Sequence, residues 1–216
     1  MTTPMLDLVF PVQGTTLPWD HSYALYGSLC RHQPALHGGD HPVGIFPING
    51  LAQGGRTLKL SDKSALRLRL PSDRVGDVLP LVGAELELDG HKVRLDSPKL
   101  EPVCLVARLF SAWVTYAGAP DEATFRERLQ DELIRLEIEA QPSLVKPLQA
   151  ASKDGQKGSR DVYLRRTRQV KGRSVIGYAL LVEGLSANDA AKVCREGLGG
   201  RRHFGGGLFL PARNRP

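Results

Sequence analysis

Strict alternation of apolar and polar residues runs through Ala65-Leu66-Arg67-Leu68-Arg69-Leu70, a period of two that predicts a strand with one buried and one solvated face. The same alternation returns over residues 85–95 around Asp89-Gly90, which predicts a hairpin, because Asp-Gly suits a tight two-residue turn. Residues 5–12 are apolar enough for a central strand, and shorter strands are expected at 45–48 and 57–60. Helical spacing takes over after Pro18-Trp19-Asp20, where Asp20 is the expected N-cap, Tyr23, Leu25, Tyr26, Leu29 and Cys30 supply the apolar contacts, and Pro34 sets the limit. A second helix is expected from Pro71-Ser72-Asp73 to about Val82, with Val75, Val78, Leu79 and Val82 on one stripe. The order is β-α-β-β-α-β.

The second half repeats this order without visible sequence similarity. A long strand is expected over 103–116 and an amphipathic helix over 121–137, carrying Phe125, Leu129, Leu133 and Leu136 at helical spacing. Residues 141–158, interrupted by Pro142 and Pro147, read as a loop. Residues 161–169 and 174–183 form a hairpin about Lys171-Gly172, and Ser186 caps a helix over 187–196 with Asp189 at the capping-box spacing. Leu208-Phe209-Leu210-Pro211 closes the series as a short strand. The predicted fold is α+β: tandem ferredoxin-like (RRM-like) βαββαβ domains, 1–98 and 99–216, with a C-terminal glycine-rich loop.

The chain's 216 residues, 41% of them hydrophobic, allow two cores of ordinary size. The absence of a run of about 18 apolar residues, or of a basic region followed by an apolar one at the start, predicts a soluble, cytoplasmic protein with no membrane partner. Cys30, Cys104 and Cys194 are odd in number and far apart, so neither a disulfide framework nor a Cys-x-x-Cys metal knuckle is expected, and they read as small buried hydrophobes. Net charge is +6, unevenly spread: after residue 152 there are 14 Lys and Arg against 5 Asp and Glu, whereas 15 face 18 before it. Such asymmetry fits a polyanion partner.

Six glycines in eleven residues flank two arginines and a histidine in the segment from Gly197 to Gly207. No Gly-Lys-Ser/Thr follows and a strand comes next, so nucleotide P-loop and dinucleotide readings fail. What remains is a flexible turn or a loop whose N–H groups, at Gly199, Gly200 and Gly205 among others, cradle phosphate, with Arg201 and Arg202 adding guanidinium forks. The hairpin brings Arg160, Arg165, Arg166, Arg168, Lys171 and Arg173, projecting from both faces, either as a solvated edge guarded by charge or as the border of an RNA groove. His21, His32, His37 and His41 lie near the first helix and His203 in the glycine loop. Imidazole gives or takes a proton near neutrality, and RNA carries its own nucleophile in the 2′-OH, so such histidines suit strand cleavage without metal. His32, His37, Asp40 and His41 are the alternative, a metal site, but their spacing across Pro42 matches no tight one, so no metal or other cofactor is expected.

Phe10-Pro11-Val12, then Asp20-His21-x-Tyr23-x-Leu25-Tyr26, Leu36-His37, and the ending Gly197-Leu198-Gly199-Gly200-Arg201-Arg202-His203-Phe204-Gly205-Gly206-Gly207-Leu208-Phe209 resemble the repeat-processing endoribonucleases of the RAMP superfamily of CRISPR-associated proteins, in particular the Myxan-type branch. The resemblance implies metal-independent cleavage of precursor CRISPR RNA within each repeat, leaving a 2′,3′-cyclic phosphate and a 5′-hydroxyl. It implies as partners the precursor, the mature guide RNA and other effector subunits. On it His37 is the first candidate for general acid/base and His21 the second, with Tyr23 or Tyr26 assisting, in a segment expected to face the glycine loop. A non-catalytic RNA-holding subunit and a metal-dependent nuclease are the competing classes; fold does not decide among them.

Overall fold

The computed structural model describes residues 3–38, 43–119, 121–146 and 163–212. The chain forms two compact units, one of Met1–Val103 with Gln169–Arg173 and Arg201–Gly205, the other of Cys104–Arg168, Ser174–Gly200 and Gly206–Pro216. Both are α+β, built on antiparallel sheets.

In the first unit the elements are β1 (Met5–Gln13), β2 (Thr16–Pro18), α1 (Ser22–His32), β3 (Gly44–Phe46), β4 (Leu51–Gln53), β5 (Thr57–Lys59), β6 (Ala65–Pro71), β7 (Glu85–Leu88), β8 (His91–Leu95) and β9 (Lys99–Pro102). Sheet order is β3-β6-β1-β8-β7 with β9 also on β1, and β2-β5-β4 form a small separate sheet. Leu8, Phe10, Leu66, Leu68 and Leu70 of the central strands bury against Leu25 and Leu29 of α1 in one core. Asp89 and Gly90 take φ of 51° and 84° in the expected β7–β8 turn.

The expected helix at 71–82 is instead two 3-10 turns, Ser72–Asp77 and Leu79–Leu81. Pro80 has no N–H to donate and Gly76 gives a helix little support, so neither turn propagates. The polar face of β6 is not wet either. Arg69 is 1% exposed and sits opposite Asp7 in the β1–β6 register. Its Nε reaches Asp7 Oδ1 at 2.7 Å and Nη2 reaches Oδ2 at 2.9 Å, while its guanidinium lies 5.2 Å from the Phe46 ring centre. Arg67 joins the same carboxylate at 2.8 Å and also meets Glu101. Alternation located the strand, and a buried charge pair took the place that solvent was expected to fill.

In the second unit β10 (Leu109–Val114), α2 (Glu122–Arg135), β11 (Gln141–Leu144), β12 (Arg165–Val170), β13 (Arg173–Glu183), α3 (Ala187–Glu196) and β14 (Leu210–Pro211) follow. The order is β11-β13-β10-β14, with β12 on β13. Asp121 caps α2 by accepting from Thr124 N, and Ser186 caps α3, its hydroxyl accepting from Asp189 N at 3.1 Å and donating to Asp189 Oδ2 at 2.7 Å. Residues 141–144, expected as loop, form an edge strand, where Pro142 costs little because one side needs no partner. The strand expected over 103–116 begins only at Leu109; before it Cys104, Leu105 and Val106 are exposed, so Cys104 is not the buried hydrophobe expected, whereas Cys194 is buried.

Asp7→Ala removes the carboxylate that compensates a buried guanidinium and is expected to cost about 3–5 kcal/mol of stability, read as a lower urea midpoint. Glu101→Ala, which touches only half-exposed Arg67, is expected to cost under about 1 kcal/mol.

Candidate active site

Helix α1 ends on the basic Arg31 and His32 and carries Tyr23 and Tyr26 one turn apart. The chain then makes one 3-10 turn, Pro34–Leu36, and reaches His37 with extended backbone. This turn folds the chain back over Tyr26: the Tyr26 hydroxyl donates to Leu36 O at 3.3 Å and accepts from Gly38 N at 3.2 Å. The His37 ring consequently stacks near Tyr26, centroids 6.5 Å apart and planes 22° from parallel. Burial, opposed by the Gly38 N–H and joined by Cys30, raises the Tyr26 phenol above its ordinary value. At neutral pH it is therefore a donor that stays protonated.

The residues Arg201–Gly205 belong to the same unit and bring two more rings to Tyr26. A 3-10 turn, Arg202–Phe204, is bounded by left-handed Arg201 and Gly205 and packs on α1 and β3. His203 lies 5.3 Å from Tyr26, and Phe204 meets it edge-on at 5.1 Å. Phe204 also touches Tyr23, at 5.8 Å, and Tyr23 keeps 42% of its surface in solvent. Two imidazoles thus neighbour one tyrosine, with the exposed Arg201 and half-buried Arg202 beside them.

His21 occupies a different environment. It is 1% exposed; Nδ1 lies 2.8 Å from Pro18 O, and Nε2 accepts from Ile48 N at 3.0 Å. An accepting Nε2 requires the proton on Nδ1, where it is donated to the carbonyl. Both nitrogens are consumed in tying the helix start to the chain before β4. His32 Nε2 meets Glu85 O at 2.9 Å. His41 and Asp40 lie outside the described residues, and among the described residues no three His, Cys, Asp or Glu side chains gather as metal ligands.

Amides of the glycine-rich loop are bound within the fold. Gly199 N donates to Glu132 Oε2 at 2.7 Å, Gly200 N to Thr115 O at 2.9 Å, Gly205 N to Arg202 O at 3.1 Å and Gly207 N to Trp113 O at 2.9 Å. The expected amide cradle is therefore engaged inside the fold at these positions. The glycines answer to space: a Cβ on Gly199, at φ +76°, stands 2.6 Å from Thr115 O, and one on Gly207 overlaps the Leu198 carbonyl.

On that hairpin Arg165, Arg166, Lys171 and Arg173 are exposed. Arg168 lies over the Trp113 ring at 4.6 Å, and Arg160 is outside the described residues. The tip turns through left-handed Lys171 and Gly172. Asp20 does not cap α1, whose N-cap His21 makes no side-chain cap; its carboxylate accepts from Gln169 N at 2.8 Å and so holds the hairpin tip. Tyr23 and Tyr26 face the glycine-loop turn as the resemblance implied, whereas the Asp20–Gln169 bond, across 149 positions, has no local signal in the chain.

With this geometry in view, the similarities of the chain become specific. The family model described as Cas6 Crispr matches residues 6–214. The chain is 39% identical over 206 residues to the CRISPR-associated endonuclease Cas6 of Myxococcus xanthus (strain DK1622), covering 95% of this chain and 81% of that protein. Its fold is similar to that of a RAMP protein binding different RNA substrates, with a TM-score of 0.70 at 13% identity over 97% of this chain and 100% of the other. It is similar also to the product of a Cas6-related gene from Pyrococcus furiosus, with a TM-score of 0.67 at 14% identity over 99% and 100%. At such identities these two likenesses concern the ferredoxin-like fold alone.

Gly199→Ala is expected to lower stability by about 1–3 kcal/mol, since a Cβ meets both a left-handed φ and the Thr115 carbonyl. Thermal unfolding measures it, with Gly54→Ala, where a Cβ meets nothing within 4 Å, expected to leave the midpoint nearly unchanged.

Proposed function

The chain belongs to the Cas6 family of CRISPR-associated proteins, and on that premise we propose that it is a metal-independent endoribonuclease that cleaves precursor CRISPR RNA within the repeat. The observation that carries the reading is the packing of His37 and His203 at 6.5 Å and 5.3 Å from one ring, Tyr26. Strand cleavage through the 2′-OH moves two protons. One leaves the 2′-oxygen as it attacks the adjacent phosphorus; the other goes to the departing 5′-oxygen, leaving a 2′,3′-cyclic phosphate and a 5′-hydroxyl. Two imidazoles at one place supply a base and an acid for these transfers. His37, the more exposed, takes one role and His203 the other, while the protonated Tyr26 phenol orients the His37 segment through Leu36 and Gly38. The engagement of both His21 nitrogens leaves that residue a structural part.

Binding is assigned to the exposed cations. Arg201 and Arg202 flank the histidine, where guanidinium forks suit the phosphate undergoing attack. The exposed hairpin residues Arg165, Arg166, Lys171 and Arg173 hold the repeat through its backbone, and Asp20 fixes the tip on which Lys171 and Arg173 stand. Tyr23, exposed beside Phe204, offers a ring face to an unpaired base.

Incubation with repeat RNA in chelator, beside a copy with a 2′-deoxy at the cut site, tests the chemistry. Cleavage of the first alone is expected; tight binding with neither cleaved makes the protein an RNA-holding subunit, and cleavage only with added metal ends the metal-free reading. His37→Ala and His203→Ala are each expected to slow cleavage about 100-fold or more with binding nearly retained, measured by single-turnover rates beside gel-shift affinities. His21→Ala should instead lower the unfolding temperature. Arg165→Ala with Arg166→Ala is expected to weaken binding and to reduce the slope of log affinity against log salt by about 2, one for each phosphate no longer neutralised.

A further inference from the structure

Resting on that reading of the glycine-rich loop, we propose that Glu132 is a positioning residue, a carboxylate on α2 that fixes the Gly199 peptide from which the chain runs directly into Arg201, Arg202 and His203. Glu132 does not serve a solvent-facing ion-pair ladder. Its side chain is 17% exposed, and one oxygen, Oε2, accepts from the Tyr116 hydroxyl at 2.6 Å and from Gly199 N at 2.7 Å. Both bonds are at the short, charge-assisted end of the range. The other oxygen, Oε1, is approached by Arg135 Nη2 at 3.4 Å.

The two donors come from different elements. Tyr116 follows β10 and packs edge-on against Phe125 of α2, centroids 5.2 Å apart. Burial first, then the hydrogen bond and charge of Glu132, hold its phenol far above the ordinary tyrosine value, so it remains a donor. Gly199 opens the loop, and the next amide, Gly200 N, is bound to Thr115 O. Two successive peptides are thereby fixed, one to the end of a strand and one to a helix, immediately before Arg201.

A carboxylate is a costly choice beside a loop assigned to a polyanion, because an exposed one repels phosphate. Turned inward and saturated by two donors, it does not carry that penalty, and it supplies what a neutral side chain supplies less well, one oxygen strong enough for two hydrogen bonds. The helix pattern fits: Phe125, Leu129 and Leu133 are buried, and Glu132 stands at the edge of that stripe, where a side chain reaches the loop.

The test compares Glu132→Ala, Glu132→Gln, Tyr116→Phe and the exposed neighbour Asp131→Ala. It reads single-turnover cleavage of repeat RNA at saturating enzyme, well below the unfolding transition, and hydrogen exchange of the Gly199 amide. Glu132→Ala is expected to speed Gly199 exchange and slow cleavage about 10- to 100-fold, as a misplacement of about 1 Å does. Glu132→Gln, which keeps an acceptor oxygen, should recover most of the rate, and Asp131→Ala should change neither readout. A purely structural Glu132 would lower the unfolding temperature and leave the rate of the folded protein intact. A rate within twofold of wild type, or a slower rate with Gly199 exchange unchanged, overturns the proposal. If Glu132→Ala does not fold, Tyr116→Phe decides: a slower rate with faster Gly199 exchange supports the proposal, and no change in either overturns it. Should the wild-type chain cleave no RNA, the functional reading fails, while Gly199 exchange still reports whether Glu132 holds the loop.

Discussion

Where the glycine-rich loop meets the end of β10 the backbones approach too closely for any side chain, and the composition of the loop follows from that approach. A Cβ on Gly199 has the Thr115 carbonyl 2.6 Å away, and one on Gly207 overlaps Leu198. Once packed, the amides at Gly199, Gly200 and Gly207 find acceptors within the fold. Gly199 and Gly207 thus answer to packing, and between them the chain makes the short turn Arg202–Phe204. Under the proposed function, recognition of the RNA backbone falls to guanidinium groups, which hold their charge at any relevant pH.

The ring of Tyr26 is what that turn meets. Its hydroxyl bonds on either side of His37 in sequence, to Leu36 and Gly38, and its ring neighbours His37, His203 and Phe204. Aromatic packing of this kind holds side chains at set distances with few rotatable bonds to order. The contrast with His21 shows how the fold gives one residue type two environments. Five residues before Tyr26, the same imidazole is 1% exposed with both nitrogens bound to backbone, tying the helix entry to the chain before β4.

Charge is divided in the same way. Arg69 and Asp7 are turned into the core and hold β1 to β6, at a desolvation cost that their bidentate pairing, with Arg67 on the same carboxylate, offsets. Arg165, Arg166, Lys171, Arg173 and Arg201 are turned outward. Glu132 and Asp20 are acidic residues placed among basic elements, each with its carboxylate engaged by a backbone N–H that holds one of those elements in place.

Local chemistry settled a large part of this protein. The period of two at residues 65–70 and 85–95, the Asp-Gly and Lys-Gly turns, and the capping residues Asp121 and Ser186 act within a few positions of themselves, so the α+β order and the basic hairpin were legible from the chain. The glycine signature, the candidate histidines and the family resemblance were legible for the same reason, being strings of adjacent residues. Where local signals conflicted, at Gly76 and Pro80, the expected helix broke into 3-10 turns. Tertiary structure alone decided which side chains meet across long separations. Whether Arg69 faces water or Asp7, whether Asp20 caps a helix or holds Gln169, and which histidine reaches Tyr26 depend on packing between segments up to 177 residues apart. No periodicity encodes such meetings, because each is fixed only when the sheets and helices have closed on one another.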